Sequence, residues 1–551
     1  MSKSLSNPQV AALLISIVLA NAGYWSCIDF PQSLGDEIIG HFRVTTEQLS
    51  LLYTLDIAMG ILTAPVAGIL IANQGIANLA LFFNFLIVIG SYVMYFAVEI
   101  QNFQLLLLGR AIYSLGGEPV LIAQSSASEK WFYGRILSLS LGLNQSCGLG
   151  SSSLSNFLNP SDIIKTRNLE RAFLYYCCAT SLSFIASALF YFLDYRYTEE
   201  YNNAEQIERL KMQIHEDEYR IMNPETLTPP FGSGGRDGED QLESAISQSA
   251  RYRGSRSGFR LSDLSRFGVL FWCTVGIYAI VSNAYYQFTF IATNLAIHRY
   301  DYGYLKAKNF LSIIQLLAAC LMPFNSYFIQ KFGKKLKVIF LSSAILFISY
   351  LNLAATPAGP SPRFEISIAL ITAFYILYQS TIFSCLALSV PKDVVSVGFG
   401  IASFFQAIPL SSLSFLIGWM VKGETEERYQ NALYVLLGNT ILGFVLVLVS
   451  IEVDIRNGSL LDAPESNIVA RKAKKVLDYK FRRLVKSSRG KRKNGKRRRR
   501  RRGKGASGGG EGKRDSSKVK VETIRAGSEF NRSKNAYSGF EVDANDEESL
   551  N

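Results

Sequence analysis

Long apolar runs dominate the pattern of polar and apolar positions, and they recur twelve times before a charged tail begins. A helix needs about 20 apolar residues to cross the hydrocarbon core of a bilayer, and helices of soluble proteins rarely stay apolar on every side over that length. The pattern therefore predicts an all-helical, multi-pass integral membrane protein. The predicted spans are 9–28, 49–72, 77–97, 103–127, 134–157, 171–193, 267–291, 306–330, 336–355, 365–389, 396–421 and 431–451.

Six spans precede a long polar connection and six follow it, which indicates two parallel six-helix repeats. The sequence thus predicts an N-terminal bundle over 1–194, a cytosolic and partly disordered linker over 195–266, a C-terminal bundle over 267–452 and a largely disordered basic tail over 453–551. Within the linker, the charged segment 199–220 is predicted to be helical. The Pro-, Gly- and Ser-rich segment 229–257 is predicted to be a flexible tether.

The charge distribution predicts the orientation. The formal net charge is +13, and about half of the 57 Lys and Arg residues follow Glu452. Basic segments beside spans stay in the cytosol, so the tail is expected there. With an even number of spans, both termini are then cytosolic. The first apolar run begins near Val10 and has no clear small-residue cleavage site before Asp29, so we interpret it as a span and not as a cleaved signal peptide.

The tail also contains the basic run Arg497–Arg502. Such a run can bind nucleic acid or act as a nuclear signal, but beside a membrane each basic residue can instead contribute about 1 kcal/mol of attraction to an anionic leaflet. In a chain with twelve spans we favour contact with anionic lipids and expect no nucleic-acid partner.

Metal chemistry and enzymatic catalysis find little support in the sequence. The seven cysteines fall in or beside apolar spans, which is typical of small buried side chains, and the three histidines form no paired Cys/His spacing. We therefore expect no metal site, no catalytic residues, no cofactor and no enzyme activity.

Polar side chains inside apolar spans are the candidate substrate-binding residues, because such groups are costly unless they face a cavity or a partner. The candidates are Tyr24, Asp56, Arg110, Glu118, Gln124, Gln145, Tyr286, Gln287 and Gln406.

Glu118 is the strongest of these candidates. It follows Gly116 and Gly117, which let helices approach closely and leave space beside the carboxylate. The carboxylate can bind the ammonium group of a solute or take up a proton. Arg110 lies eight residues earlier, about 12 Å of rise and about 80° of rotation away on a helix. The alternative interpretation is that each charge pairs with another helix and only stabilises the bundle.

Several short sequence segments resemble the major facilitator superfamily. Within it they are similar to the branch of major facilitator superfamily domain-containing protein one, whose members are lysosomal dipeptide transporters. The matching residues are Tyr24, Cys27, Asp29, Pro31, Leu34, Leu51, Leu52, Tyr53, Gly109, Arg110, Gly116, Gly117, Glu118, Ala123, Gln124, Trp131, Phe132, Gly134, Phe332, Gly333, Lys334, Val390, Pro391, Gly400 and Gln406. The resemblance includes every predicted span and excludes the linker and the tail. It implies two six-helix bundles around a central cavity, and rocker-switch transport of a dipeptide or an amino-acid-like solute across a lysosomal or similar membrane.

The chain departs from the superfamily at the inner gate. The loop between spans 2 and 3 has Ala72 and Asn73 where an acid and a base are usual, and Gln330 replaces the acid before the loop after span 8. That second loop keeps its basic residues, so we expect it to provide more of the gate. Its gating candidates are Lys331, Gly333, Lys334 and Lys335.

A further departure concerns substrate binding, because span 5 lacks the basic residue that the resemblance leads us to expect near Leu149. Two other functions stay open: a sugar or organic-anion transporter at the plasma membrane, and a non-transporting receptor or scaffold. The resemblance also implies a glycosylated accessory membrane subunit. No N-x-S/T sequon lies in a loop predicted to face away from the cytosol, which is in keeping with such a partner.

Overall fold

Twelve long helices follow one another through the part of the chain that this computed structural model describes, residues 7–166, 168–222, 261–421, 426–459 and 461–464. The helices are α1 (Asn7–Ile28), α2 (Thr46–Gln74), α3 (Ile76–Glu99), α4 (Phe103–Phe132), α5 (Leu137–Thr166), α6 (Leu169–Met222), α7 (Val269–His298), α8 (Tyr304–Phe332), α9 (Lys335–Ala355), α10 (Pro362–Ser389), α11 (Val395–Val421) and α12 (Glu426–Arg456). The short helices Phe30–Ser33 and Gly35–Phe42 lie between α1 and α2.

Eleven of these twelve helices are long and apolar enough to cross a membrane. The exception is α5, whose sequence is rich in Ser, Gly, Asn and Gln. It packs against α8, α1 and α10. A helix surrounded by protein does not need an apolar surface all round, and small residues allow its neighbours to approach closely.

The two halves repeat the same helix packing, which confirms the predicted fold of two six-helix bundles. In the first half, α3 packs on α4 and α6, α1 on α5 and α6, and α2 on α4. In the second half, α9 packs on α10 and α12, α7 on α11 and α12, and α8 on α10. Each pair in the second half is thus the first-half pair shifted by six helices.

The halves contact each other mainly through α2 with α11 and α5 with α8. Consecutive helices alternate in direction, so the α2–α3, α4–α5, α8–α9 and α10–α11 turns lie on one side, which we call the α2–α3 face. Close contacts between the halves lie toward this face. The Ser396 hydroxyl donates to the Gly68 carbonyl at 3.0 Å, a Cβ on Gly142 would collide with Ser326 Oγ, and the Lys392 ammonium lies 3.6 Å from the centre of the Tyr133 ring.

Lighter contacts join the halves toward the opposite side, the α1–α2 face. The Tyr53 and Phe290 rings meet edge to face with centroids 6.2 Å apart. The Lys308 ammonium donates to the Ser33 carbonyl at 3.1 Å. The central cavity lies between these contacts and the close packing at the α2–α3 face.

The helix α6 continues without a break from its apolar part into the charged segment that ends at Met222, which confirms the predicted helix over 199–220. The predictions for 229–257 and for Arg497–Arg502 lie outside the described residues. The boundaries between the four predicted domains also remain predictions.

Candidate functional site

A cavity between the halves has two adjoining compartments. The inner compartment, of about 180 Å³, is lined by residues of α1, α2, α4, α5, α7, α10 and α11. Its polar lining residues are Tyr24, Trp25, Asp29, Asp56, Ser114, Glu118, Ser125, Gln145, Tyr278, Tyr286, Gln379, Ser403 and Gln406.

The outer compartment, of about 140 Å³, lies beside it and is lined mainly by α1, α5, α7, α8 and α10. Its polar lining residues are Trp25, Asp29, Ser33, Ser152, Asn156, Tyr285, Tyr286, Thr289, Thr293, Lys308, Ser312, Gln315, Thr372 and Tyr375. Trp25, Asp29 and Tyr286 line both compartments, which are therefore contiguous. Their volumes together reach the range of small-molecule sites, about 300–1,000 Å³.

Glu118 is half-buried and faces the inner compartment. A Cβ on Gly60 of α2 would lie 3.1 Å from the Glu118 Cγ, so this glycine leaves room for the Glu118 side chain. The Ser403 side chain of α11 lines the same compartment and lies beside the carboxylate. Among the described residues, no Lys or Arg forms an ion pair with Glu118. The carboxylate can therefore bind a cationic group of a solute or hold a proton.

The two glycines before Glu118 explain how α4 fits at this point. A Cβ on Gly116 would collide with the Phe83 carbonyl of α3, and a Cβ on Gly117 would collide with the ring of Tyr24 on α1. Since any larger residue would push these elements apart, the glycines are required for the close helix contacts that the sequence predicts.

Arg110 occupies a different environment. Its side chain is 1% exposed and lines neither compartment. The guanidinium pairs with Asp56 at 3.4 Å and donates to the carbonyls of Ile28 at 2.9 Å and Cys27 at 3.5 Å. Ser114 also donates to Asp56. Arg110 thus joins α4 to α1 and α2, which matches the alternative of a stabilising charge pair.

The amide candidates fall into two groups. Gln145 and Tyr286 line the inner compartment, where the Gln379 amide donates to both at 3.3 Å and so connects α5, α10 and α7 across the cavity. Gln406 also lines it. Gln287 instead donates to Leu410 and Ser414 and holds α7 against α11. Gln124 is buried outside both compartments, and neither of its amide atoms has a hydrogen-bond partner among the described residues.

A sequence comparison establishes the family. The profile of the Major Facilitator Superfamily matches residues 12–414, most of the chain. The chain belongs to this superfamily. Its members are transporters, and no catalytic family is indicated. The fold and the family resemblance drawn from the sequence are thereby confirmed.

Relatives within the superfamily include lysosomal dipeptide transporters named MFSD1. The chain is 21% identical over 416 residues to that of Danio rerio, which covers 74% of this chain and 79% of that protein. It is 21% identical over 423 residues to that of Homo sapiens, which covers 74% and 80%.

Solved structures of the superfamily have the same fold. The proton:xylose symporter XylE, bound to 6-bromo-6-deoxy-D-glucose, aligns with a TM-score of 0.56 at 14% identity over 81% of this chain and 96% of that chain. The human organic anion transporter MFSD10 aligns with a TM-score of 0.52 at 14% identity over 80% and 100%. At these identities the likeness shows the fold alone.

Two charged residues at the cavity, Asp29 and Lys308, are absent from the candidates drawn from the sequence. Asp29 accepts a hydrogen bond from Ser152 at 2.5 Å and lines both compartments. Each residue lies at the end of an apolar span, where a charged side chain ordinarily reaches toward water. The sequence signal was an ionisable residue at a span end, which does not by itself distinguish a cavity from the membrane surface.

The gating candidates lie at the α8–α9 turn of the second half. The Lys334 amide donates to the Asp462 carbonyl and the Leu336 amide to the Asp462 carboxylate, each at 2.9 Å. A Cβ on Gly333, whose φ is +71°, would lie 2.6 Å from the same carbonyl. Lys335 is fully buried and Lys331 is exposed. This turn therefore packs against the segment after α12, and the gating role stays a prediction.

Proposed function

We propose that the chain transports dipeptides or amino-acid-like solutes by alternating access. The observation that carries the proposal is the Glu118 carboxylate, which faces the inner compartment with no basic partner among the described residues. Desolvation makes an unpaired charge costly, so a solute ammonium that offsets it would bind favourably. The dipeptide transporters among the relatives support the same substrate class.

The arrangement of contacts supports the transport mechanism. The halves are similar bundles joined by close contacts toward the α2–α3 face and lighter contacts toward the α1–α2 face, with the binding compartments between them. Rocking one bundle against the other would exchange the closed side. We propose that the α2–α3 face is cytosolic, that both termini are cytosolic, and that the protein resides in a lysosomal or similar membrane.

Two partners belong to the same proposal. The basic tail binds anionic lipid of the cytosolic leaflet, and a glycosylated accessory membrane subunit shields the opposite side. The sequence patterns described above support both.

A sugar transporter is the second candidate, because the inner compartment also presents the amides of Gln145, Gln379 and Gln406, which can hydrogen-bond to hydroxyl groups. An organic anion at the plasma membrane is the remaining transport alternative.

Thermal unfolding of the purified protein with panels of dipeptides, amino acids, sugars and organic acids tests the proposal. A ligand at about 100 times its dissociation constant adds about 2.7 kcal/mol of stability. Stabilisation by dipeptides or amino acids alone is expected. Stabilisation by sugars or organic acids alone would contradict the proposed substrate class.

A further inference from the structure

The charges that line the two compartments are unevenly distributed. The inner compartment presents the carboxylates of Glu118, Asp56 and Asp29, of which Asp56 is paired with Arg110. The outer compartment presents Asp29 and Lys308. Among the described residues that line either compartment, Lys308 is the one with a basic side chain. A solute with an anionic end therefore meets a cationic group only in the outer compartment.

The orientation of α8 directs Lys308 toward the cavity. Lys308, Leu311, Ser312 and Gln315 all line the outer compartment and follow the three- and four-residue spacing of one helix face. Lys308 also lines a separate recess closer to the α1–α2 face, together with Asp36 and Tyr53. Lys308 thus lies at the boundary between the outer compartment and this recess.

Arg110 is a basic residue of α4, and it does not face either compartment. It contacts Asp56 and two carbonyls. On α5, the wall of the outer compartment includes the apolar residue Leu149. Neither α4 nor α5 therefore offers a cation to the solute from the described lining.

We infer that Lys308 binds the carboxylate of the solute and determines specificity for solutes with a free carboxyl terminus. This inference rests on the proposed function and adds the residue that recognises the anionic end. The solute would lie with its carboxylate toward the α1–α2 face and its ammonium toward Asp29 and Glu118. The Lys308 ammonium donates to the Ser33 carbonyl in this conformation, and its three N–H donors can rearrange to include a solute carboxylate.

The rival role is purely mechanical. Lys308 joins the two halves through Ser33, and the acidic residues Asp36 and Glu37 contribute to its electrostatic environment. If Lys308 only holds the outer side closed, its substitution affects every solute equally, whatever the chemistry of the solute's carboxyl end. Comparing a free acid with its amide separates the two roles.

The test measures uptake by the full-length protein in proteoliposomes, with alanyl-alanine and its C-terminal amide as substrates. The variants are Lys308→Gln and Lys308→Arg. The control is Lys306→Gln, since Lys306 is an exposed lysine two residues away that contacts the Tyr302 ring and lines neither compartment.

The wild type and Lys306→Gln should prefer the free acid by about tenfold or more in half-saturation concentration, the scale of a charge-assisted hydrogen bond. Lys308→Gln should lose most of that preference because the free acid binds about tenfold more weakly, while the amide is unaffected. Lys308→Arg should retain it.

An equal loss for acid and amide in Lys308→Gln, or an undiminished preference, would overturn the role of Lys308 while leaving peptide transport standing. A wild type that transports neither peptide would instead contradict the proposed function. If Lys308→Gln does not elute as a monodisperse protein, the wild type decides: equal half-saturation for acid and amide contradicts the inference.

Discussion

Glu118 and Arg110 lie on the same helix eight residues apart, yet their surroundings differ. Glu118 faces the cavity beside the Ser403 side chain, whereas Arg110 is buried against a carboxylate and two carbonyls. Removing one partner of a buried ion pair leaves an uncompensated charge, whereas a charge that lacks such a pair is available to a ligand. The two residues are therefore expected to respond differently to neutral substitutions.

Arg110→Gln should lower the free energy of unfolding by about 3–5 kcal/mol, because it leaves the Asp56 carboxylate without its cation. Adding Asp56→Asn should recover at least about 1 kcal/mol of that loss. Glu118→Gln, which breaks no ion pair among the described residues, serves as the comparison and should change stability little. Thermal unfolding of the purified variants provides the measurement. Additive losses in the double variant would show that the pair does not stabilise the bundle.

At this scale the sequence identified Glu118, Tyr24, Gln145, Tyr286 and Gln406, each of which faces the cavity. Polar groups within apolar spans are rare enough to be recognised. The sequence could not distinguish them from Arg110, Gln124 and Gln287. A polar residue within an apolar span can be buried between helices or can face a cavity, and the sequence pattern is the same in both cases. Asp29 and Lys308 were missed because a charged residue at the end of a span can face either the cavity or the membrane surface. Only the folded structure distinguishes these two environments.

At the scale of helices, the contact of α2 with α11 depends on glycine. A Cβ on Gly68 would lie 2.6 Å from the Ser396 carbonyl, and a Cβ on Gly400 would lie 2.6 Å from the Ala64 carbonyl. Both obstacles are backbone atoms, which cannot rotate away. The close packing at the α2–α3 face therefore requires these residues to stay small.

Gly68→Leu should prevent α2 and α11 from closing and favour the conformation that is open at the α2–α3 face. Cysteines introduced at the cavity end of that face should then be labelled faster than in the wild type. Gly418→Leu is the matched control on α11, because a Cβ at Gly418 has no heavy atom within 4 Å. Equal labelling of Gly68→Leu and wild type would mean that this contact does not contribute to closure.

The helices were predictable from the sequence because about 20 apolar residues in a row have few alternatives to a membrane span. The exception shows the limit of that rule. A span over 134–157 was predicted for α5, although this helix is less apolar than the eleven helices that can cross a membrane by length and composition. Its place in the bundle follows from its packing partners, which correspond to those of α11, the helix six positions later in the chain. That correspondence is visible only in the folded halves.

At the scale of the whole molecule, transport and membrane attachment should be separable functions. Deleting 470–551 should leave uptake in proteoliposomes nearly unchanged, since the cavity residues precede the tail. The same deletion should weaken cosedimentation with anionic vesicles, and the difference should shrink as salt rises because exposed charges are screened. Loss of uptake in the truncated protein would contradict this division.

The central claim is that the cavity around Glu118 binds and moves a peptide-like solute. The most direct measurement is dipeptide uptake by proteoliposomes containing wild type or Glu118→Gln, over a range of substrate concentration and pH. The wild type should transport the dipeptide. Glu118→Gln should elute as a monodisperse protein and either lose affinity for substrates with a free amino terminus or lose the pH dependence of uptake. Uptake by Glu118→Gln with the affinity and pH profile of the wild type would contradict the claim.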